Sequence, residues 1–174
     1  MSIQIIQRYS VTPPQAADHT TSPETTQAAI LAERQRWMSV LAKAPPLALE
    51  TLWGSIETKP DWTYLRQPET GMVMLRGRAG GTGQRFNLGE MTMTRCAVRL
   101  PDGRVGHGYV GGRDREHATR AALVDALMQD AAQRDALDAA IIAPLEQAAL
   151  EARETASRKA AATKVDFFTM VRGE

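Results

Sequence analysis

The chain has 174 residues and a formal net charge of +1 at pH 7, with 43% hydrophobic but only 5% aromatic residues. This length fits one domain with appendages, and the near-neutral charge argues against nucleic acid or an anionic membrane as a general partner. The apolar runs are far shorter than the roughly 18–20 residues that cross a bilayer, and residues 1–6 make a poor signal peptide, so we expect a cytoplasmic protein.

The first part of the chain predicts an extension followed by two helices. Residues 1–24 are rich in Thr, Pro, Gln and Ser, which indicates a flexible N-terminal extension. Prolines and apolar residues at helical spacing then predict a helix over residues 23–44 and a shorter one over residues 47–56. Trp37 lies on the apolar side of the first helix, where it suits either the core or a subunit interface.

The middle of the chain predicts a sheet. Apolar alternation indicates strands over residues 62–66, 72–78, 84–88, 92–100 and 105–110, with turns at residues 68–71 and 101–104. We therefore expect an α+β fold: an antiparallel four- to five-stranded sheet, flanking helices and an extended C-terminal arm.

Helices are predicted again after the sheet. Asp114 is the expected N-cap of a helix with an apolar run to Met128, a further helix covers residues 130–137, and Pro144 should kink or restart the chain. The core domain is thus expected over residues 25–145. Residues 146–174 are expected to form a polar, alanine-rich helical arm and an apolar docking segment.

The last ten residues are unusually apolar for a chain terminus, since termini normally fray unless they are tied down. The segment that contains Phe167, Phe168, Met170 and Val171 holds two of the three phenylalanines of the protein. Such a patch either contacts a partner or a second copy, or it returns as an edge strand of its own domain. We expect these four residues to form a subunit interface.

The glycine-rich segment between two predicted strands is the strongest local motif for chemistry. Several glycines in a row let backbone N–H groups converge on an anion. The candidate anion-binding residues here are Gly80, Gly81, Thr82, Gly83 and Arg85. The alternative is a glycine-rich connection in a β-hairpin, because no Gly-Lys-Ser/Thr follows and the next element is a predicted strand.

A second cluster begins the helix that Asp114 is expected to cap. Arg113 is a further candidate for anion binding, because helix N-termini attract anions and the guanidinium adds a charge-assisted bond. His117 is a candidate for pairing with a partner's carboxylate. His107 and His117 lack the ligand spacing of a zinc site, so we expect no metal. No residue is assigned a catalytic role, and the single cysteine, Cys96, is expected to be an inert buried thiol.

Several short segments, taken together and in this order, resemble the G subunit family (PhnG) of the bacterial carbon–phosphorus lyase system for phosphonate breakdown. The similar stretches are residues 36–42, 69–71, 80–83, 85–86, 94–95, 97–100, 112–114, 117–118, 122–129 and 165–173. They span residues 33–174 and leave the first 30 residues outside. The glycine-rich strand around His107 is not part of the resemblance, so no family role is transferred to that histidine.

The resemblance implies a subunit of a core complex with H, I and J subunits, assembled about a twofold axis. Together with an ATPase-like L subunit, this system displaces adenine from MgATP with an alkylphosphonate to give α-D-ribose 1-methylphosphonate 5-triphosphate. MgATP is then the co-substrate of the complex, and this chain binds no cofactor itself. The resemblance implies an auxiliary role for this chain, since no catalytic residue of the G subunit is carried over to it.

Two other classes of function stay open at the level of the sequence. One is a free-standing anion- or nucleotide-binding protein or small enzyme that uses the loop at residues 80–83 and the helix start near Arg113. The other is a purely structural dimerisation module. Binding of ATP or phosphonate by the isolated chain would favour the first of these alternatives.

Overall fold

The computed structural model of the protein describes residues 23–163, with side chains from residue 27 onward. The predicted N-terminal extension therefore lies outside the described residues, apart from the start of the first helix. The interface candidates Phe167, Phe168, Met170 and Val171 also lie outside them.

Two helices begin the described chain. Helix α1 spans Pro23–Lys43 and helix α2 spans Pro46–Gly54, with a proline in the first turn of α2. A proline at that position loses no intrahelical hydrogen bond, whereas the Pro45–Pro46 pair cannot continue α1. Both helices are confirmed to within about two residues of their predicted ends.

The sheet has three strands in the described residues, in the order β1-β2-β3, and neighbouring strands are antiparallel. Strand β1 spans Thr63–Arg78, β2 spans Arg85–Arg99 and β3 spans Val105–Gly111. The α+β architecture and the antiparallel sheet are thus confirmed, but the number of strands is three instead of the expected four or five.

The predicted strands were too short because two expected breaks do not end a strand. Pro68 lies in β1, an edge strand, where a residue without a backbone N–H is tolerated at an irregularity. The pairing with β2 shifts register between Arg66 and Glu69 and then continues past Gly71. In β2, Gly89 pairs with Leu75 and the strand runs through it. The predicted turn after Leu100 is confirmed, with Gly103 at φ 92°.

Helix α3 spans Arg115–Met128 and covers one face of the sheet. The Asp114 side chain accepts a hydrogen bond from the His117 backbone N–H at 2.9 Å, so the predicted N-cap is confirmed. Close contact of α3 with β3 depends on two glycines. A Cβ added at Gly106 would lie 1.9 Å from the Ala122 carbonyl oxygen, and one at Gly108 would lie 2.0 Å from the Ala118 carbonyl oxygen.

The remaining helices complete the core. Helix α4 spans Ala131–Leu137, a π-helical turn spans Asp138–Ile142, and helix α5 spans Ala143–Ala162. Pro144 lies in the first turn of α5, which agrees with the predicted restart. The side chains of α5 are almost all exposed beyond Leu145. The largest buried side chains of the core come from α1, α2, the sheet, α3 and the π-helical turn: Trp37, Leu41, Leu49, Met128, Ile141, Ile142, Val98, Val110 and Val124.

Candidate functional site

The glycine loop connects β1 to β2, as the hairpin alternative predicts. Gly80 and Gly81 adopt φ values of 60° and 82°, which suit residues without a side chain. The backbone N–H groups of Thr82 and Gly83 both donate to the Ala79 carbonyl oxygen. Those two amides are therefore occupied within the loop, and anion binding there remains a prediction.

The structure does not bring the two candidate anion sites together. Gly112, beside Arg113, donates its backbone N–H to the Thr92 carbonyl oxygen. Arg85 lies seven residues away from Thr92 along β2, which corresponds to roughly 23 Å at the rise of a β-strand. A single phosphate group cannot contact Arg85 and Arg113 in one molecule, although both side chains belong to exposed residues.

The structure places the two described interface candidates, Trp37 and His117, in the interior of this chain. Only 2% of Trp37 and 3% of His117 is accessible to solvent. One ring nitrogen of His117, Nε2, lies 2.9 Å from the Leu41 carbonyl oxygen. This contact ties α3 to α1, so it replaces the expected pairing with a partner's carboxylate. Trp37 is thus a core residue of this chain, which was one of its two predicted roles, and the burial of its side chain leaves almost none of it for a subunit interface.

A buried carboxylate that is not among the predicted site residues joins three elements of the fold. Asp125 on α3 is fully buried, and its Oδ1 accepts from Trp37 Nε1 at 2.9 Å. Arg34 on α1 donates from Nε to Oδ1 at 3.1 Å and from Nη2 to Oδ2 at 2.7 Å. The His107 backbone N–H donates to Oδ2 at 2.9 Å. With every oxygen occupied, Asp125 has a structural role.

One signal in the sequence points to this carboxylate. Asp125 lies within an otherwise apolar helical run, and a buried charge requires a partner. Its partner Arg34 is 91 positions away, so spacing alone does not identify the pair.

Cys96 is buried in β2, as expected, and burial raises the pKa of its thiol above the ordinary value. A raised pKa keeps the sulfur protonated and therefore unreactive. Residues 23–163 contain no group of three or more His, Cys, Asp or Glu side chains that could hold a metal ion. Within the same range, no helix is long and apolar enough to cross a membrane.

A shallow cleft of about 520 Å³ lies between the start of β1, the loop before it and α3. Trp53, Trp62 and Tyr64 line it, and the rings of Trp62 and Tyr64 meet edge to face with centroids 4.5 Å apart. Lys59 and Arg115 add positive charge at its edge. This cleft can hold an aromatic or apolar group beside an anion, but Glu116 in the same lining offsets part of the positive charge.

The most unusual surface is the distal part of the β1–β2 hairpin. Several of its large apolar side chains are exposed: Met72, Met74, Leu75, Phe86 and Leu88. Exposed apolar groups in such a cluster usually mark a contact with another protein. This surface, together with the structural roles of the buried polar groups, is typical of a subunit.

Comparison with known proteins gives a consistent assignment. The family model for "phosphonate metabolism protein PhnG" matches residues 32–173. The alpha-D-ribose 1-methylphosphonate 5-triphosphate synthase subunit PhnG of Rhizobium meliloti (strain 1021) is 47% identical over 154 residues, which cover 87% of this chain and 96% of the relative. The chain therefore belongs to the PhnG family of phosphonate metabolism proteins.

Proposed function

We propose that the protein is a subunit of α-D-ribose 1-methylphosphonate 5-triphosphate synthase in phosphonate catabolism, acting in the cytoplasm. The observation that carries the proposal is the 47% identity that extends over 96% of a relative named as a subunit of that synthase. The proposed partners are the H, I and J subunits of the carbon–phosphorus lyase core complex, assembled about a twofold axis, with the L subunit as a functional partner.

The proposed reaction exchanges one group at the anomeric carbon of ribose. An oxygen of the hydrogen alkylphosphonate anion forms a bond to this carbon, and the bond from the carbon to adenine breaks. The proton that the phosphonate gives up leaves with the neutral adenine. Two anionic reactants, the phosphonate and the triphosphate of MgATP, must be held together against their repulsion. Positioning and preorganised charge lower the barrier of such a step.

Within this reaction we assign the chain an auxiliary role without a catalytic residue or a cofactor of its own. The buried ionisable groups support this assignment, because Asp125 and His117 are hydrogen-bonded inside the chain and are thus unavailable to a substrate. Arg85 and Arg113 remain candidates for contact with the anionic reactants. Because these two arginines lie far apart in one chain, they would contact different anionic groups, or one group from two different copies of the chain.

The proposal is tested by reconstitution. The H, I, J and L subunits are expressed with or without this chain, and adenine release from MgATP is measured in the presence of methylphosphonate. We expect release only when the chain is present. Full activity without the chain would refute the proposal, and tight binding of ATP by the isolated chain would favour the alternative of a free-standing nucleotide-binding protein.

A matched pair of variants separates scaffolding from direct contact with the reactants. Arg85→Ala and Arg113→Ala are compared with the wild type in complexes shown to be intact by mass. A loss of turnover in an intact complex supports an anion-binding role for that arginine. If turnover is unchanged in both variants, the role of the chain is scaffolding.

A further inference from the structure

Part of the β1–β2 hairpin extends beyond the rest of the sheet. Strand β3 pairs with β2 only from Met93 to Arg99, whereas β1 pairs with β2 as far as Arg78 opposite Arg85. Residues 72–92 therefore form a two-stranded segment, the hairpin extension, which is roughly 23 Å long at the rise of a β-strand. A two-stranded hairpin alone is marginally stable in water at best.

The hairpin extension carries apolar side chains on both of its faces. Met72 and Met74 share one face, because residues two apart in a strand point the same way, and 70% of Met72 is exposed. Leu75 lies on the other face, and on the facing strand 46% of Phe86 and 64% of Leu88 are exposed. The Phe86 ring packs beside Gly77, where an added Cβ would lie 3.3 Å from Cζ. An uncovered surface of this kind favours aggregation unless a partner covers it.

The far end of the hairpin extension is positively charged. Arg78 is paired directly with Arg85, and Arg76 lies two residues before Arg78. Like charges that face each other across a strand pair destabilise it. In the described part of the chain, none of these three arginines forms an ion pair. The end of the hairpin extension thus lacks acidic groups that would balance its positive charge.

We infer that the hairpin extension docks into an apolar groove on another subunit of the synthase, and that acidic side chains of that subunit surround the three arginines. On this inference Arg85 serves docking, and only Arg113 stays a candidate for contact with the anionic reactants. The inference rests on the proposed function, since it requires a synthase partner. A second copy of this chain is a poor occupant. Residues 72–92 contain three arginines and one glutamate, a net charge of +2, so self-pairing brings like charges together.

The experiment uses the full chain co-expressed with the H, I and J subunits. One variant combines Phe86→Ser with Leu88→Ser, and another combines Arg78→Glu with Arg85→Glu. Matched controls are Leu47→Ser, which changes a leucine of α2 that is 73% exposed, and Arg158→Glu, which reverses an exposed charge of α5. Each isolated variant is first shown to unfold cooperatively. We expect both hairpin variants to bind the partners at least about tenfold more weakly, and the controls to bind as the wild type does.

A second measurement does not depend on changes in affinity. Leu88 is replaced by a photo-crosslinking amino acid, and the complex is irradiated. We expect a crosslink to another subunit, at a segment with acidic residues. A crosslink to a second copy of this chain, or hairpin variants that bind the partners as tightly as the wild type, would overturn the inference.

The two proposals fail in different ways. If the wild-type chain does not assemble with the other subunits at all, both the proposed function and the docking of the hairpin extension are wrong. If the wild type assembles and supports adenine release while the hairpin variants do so equally well, only the docking inference is wrong.

Discussion

At the scale of single residues, Asp125 connects helix α1, strand β3 and helix α3 through one carboxylate. Its oxygens accept from Arg34, from the Trp37 indole and from the His107 backbone N–H. A buried ion pair is a weak source of net stability, because removing two charges from water offsets much of their attraction. Removing Asp125 is more damaging, because the Trp37 indole N–H and the His107 backbone N–H then lose their acceptor in the interior.

We expect Asp125→Ala to lower the free energy of unfolding by about 2–4 kcal/mol, since the Trp37 and His107 N–H groups lose their acceptor, whereas the partly exposed Arg34 can turn to solvent. Asp125→Asn should cost less, because the amide oxygen still accepts one of these bonds. The measurement is urea unfolding of the full-length chain. Glu154→Ala is the control, as its exposed pair with Arg158 is worth at most about 1 kcal/mol. A loss of less than 1 kcal/mol for Asp125→Ala would contradict the structural role of this carboxylate.

At the scale of elements, the approach of α3 to β3 explains the glycines on either side of His107. Gly106 and Gly108 both face the helix backbone, and any side chain there would meet a carbonyl oxygen of α3. A single methyl group at either position must push the helix away from the sheet. In a close-packed core, this displacement also disturbs the other contacts of the helix.

We therefore expect Gly106→Ala and Gly108→Ala each to lower stability by about 1–3 kcal/mol or more, the typical cost of inserting a group into a packed core. Gly89→Ala is the matched control, because it also lies in a strand and an added Cβ there meets no atom within 4 Å. Thermal unfolding of the three variants tests this. If Gly89→Ala proved as harmful as the other two, loss of stability would reflect strand glycines in general and not the contact with α3.

The elements differ in how well the sequence predicts them. The helices were predicted closely because their ends depend on local chemistry, such as the capping side chain of Asp114 and the proline at position 46. The strands were divided wrongly because a proline or glycine ends a strand only in some pairings. Pro68 is tolerated since β1 is an edge strand, a fact that depends on β2 and β3.

At the scale of the whole molecule, the features related to function depend on distant parts of the chain. The apolar character of residues such as Phe86 is visible in the sequence, but their exposure follows from where β3 ends. Likewise, the sequence allows Trp37 and His117 to be interface residues, whereas the packing of α1 on α3 buries both of them. Family resemblance identified the class of protein, whereas only the fold separates the buried positions from the docking surface.

The distribution of burial also predicts how stability varies along the chain. Every residue of α3 from Ala121 to Met128 is buried, whereas nearly all side chains of α5 beyond Leu145 are exposed. Isolated helices are marginal in water, so the last turns of α5 should open far more readily than α3.

Hydrogen exchange of the isolated full-length chain, followed by mass spectrometry, tests this difference. We expect amides of residues 154–162 to exchange at least about a hundredfold faster than those of residues 121–128, because only α3 requires global opening. The matched comparison is the same measurement in the assembled complex, where α3 should exchange more slowly still, because partners that bind only the folded chain raise the free energy of global opening. Equal protection of both segments in the isolated chain would show that α5 is held by contacts along its whole length, contrary to its exposed side chains.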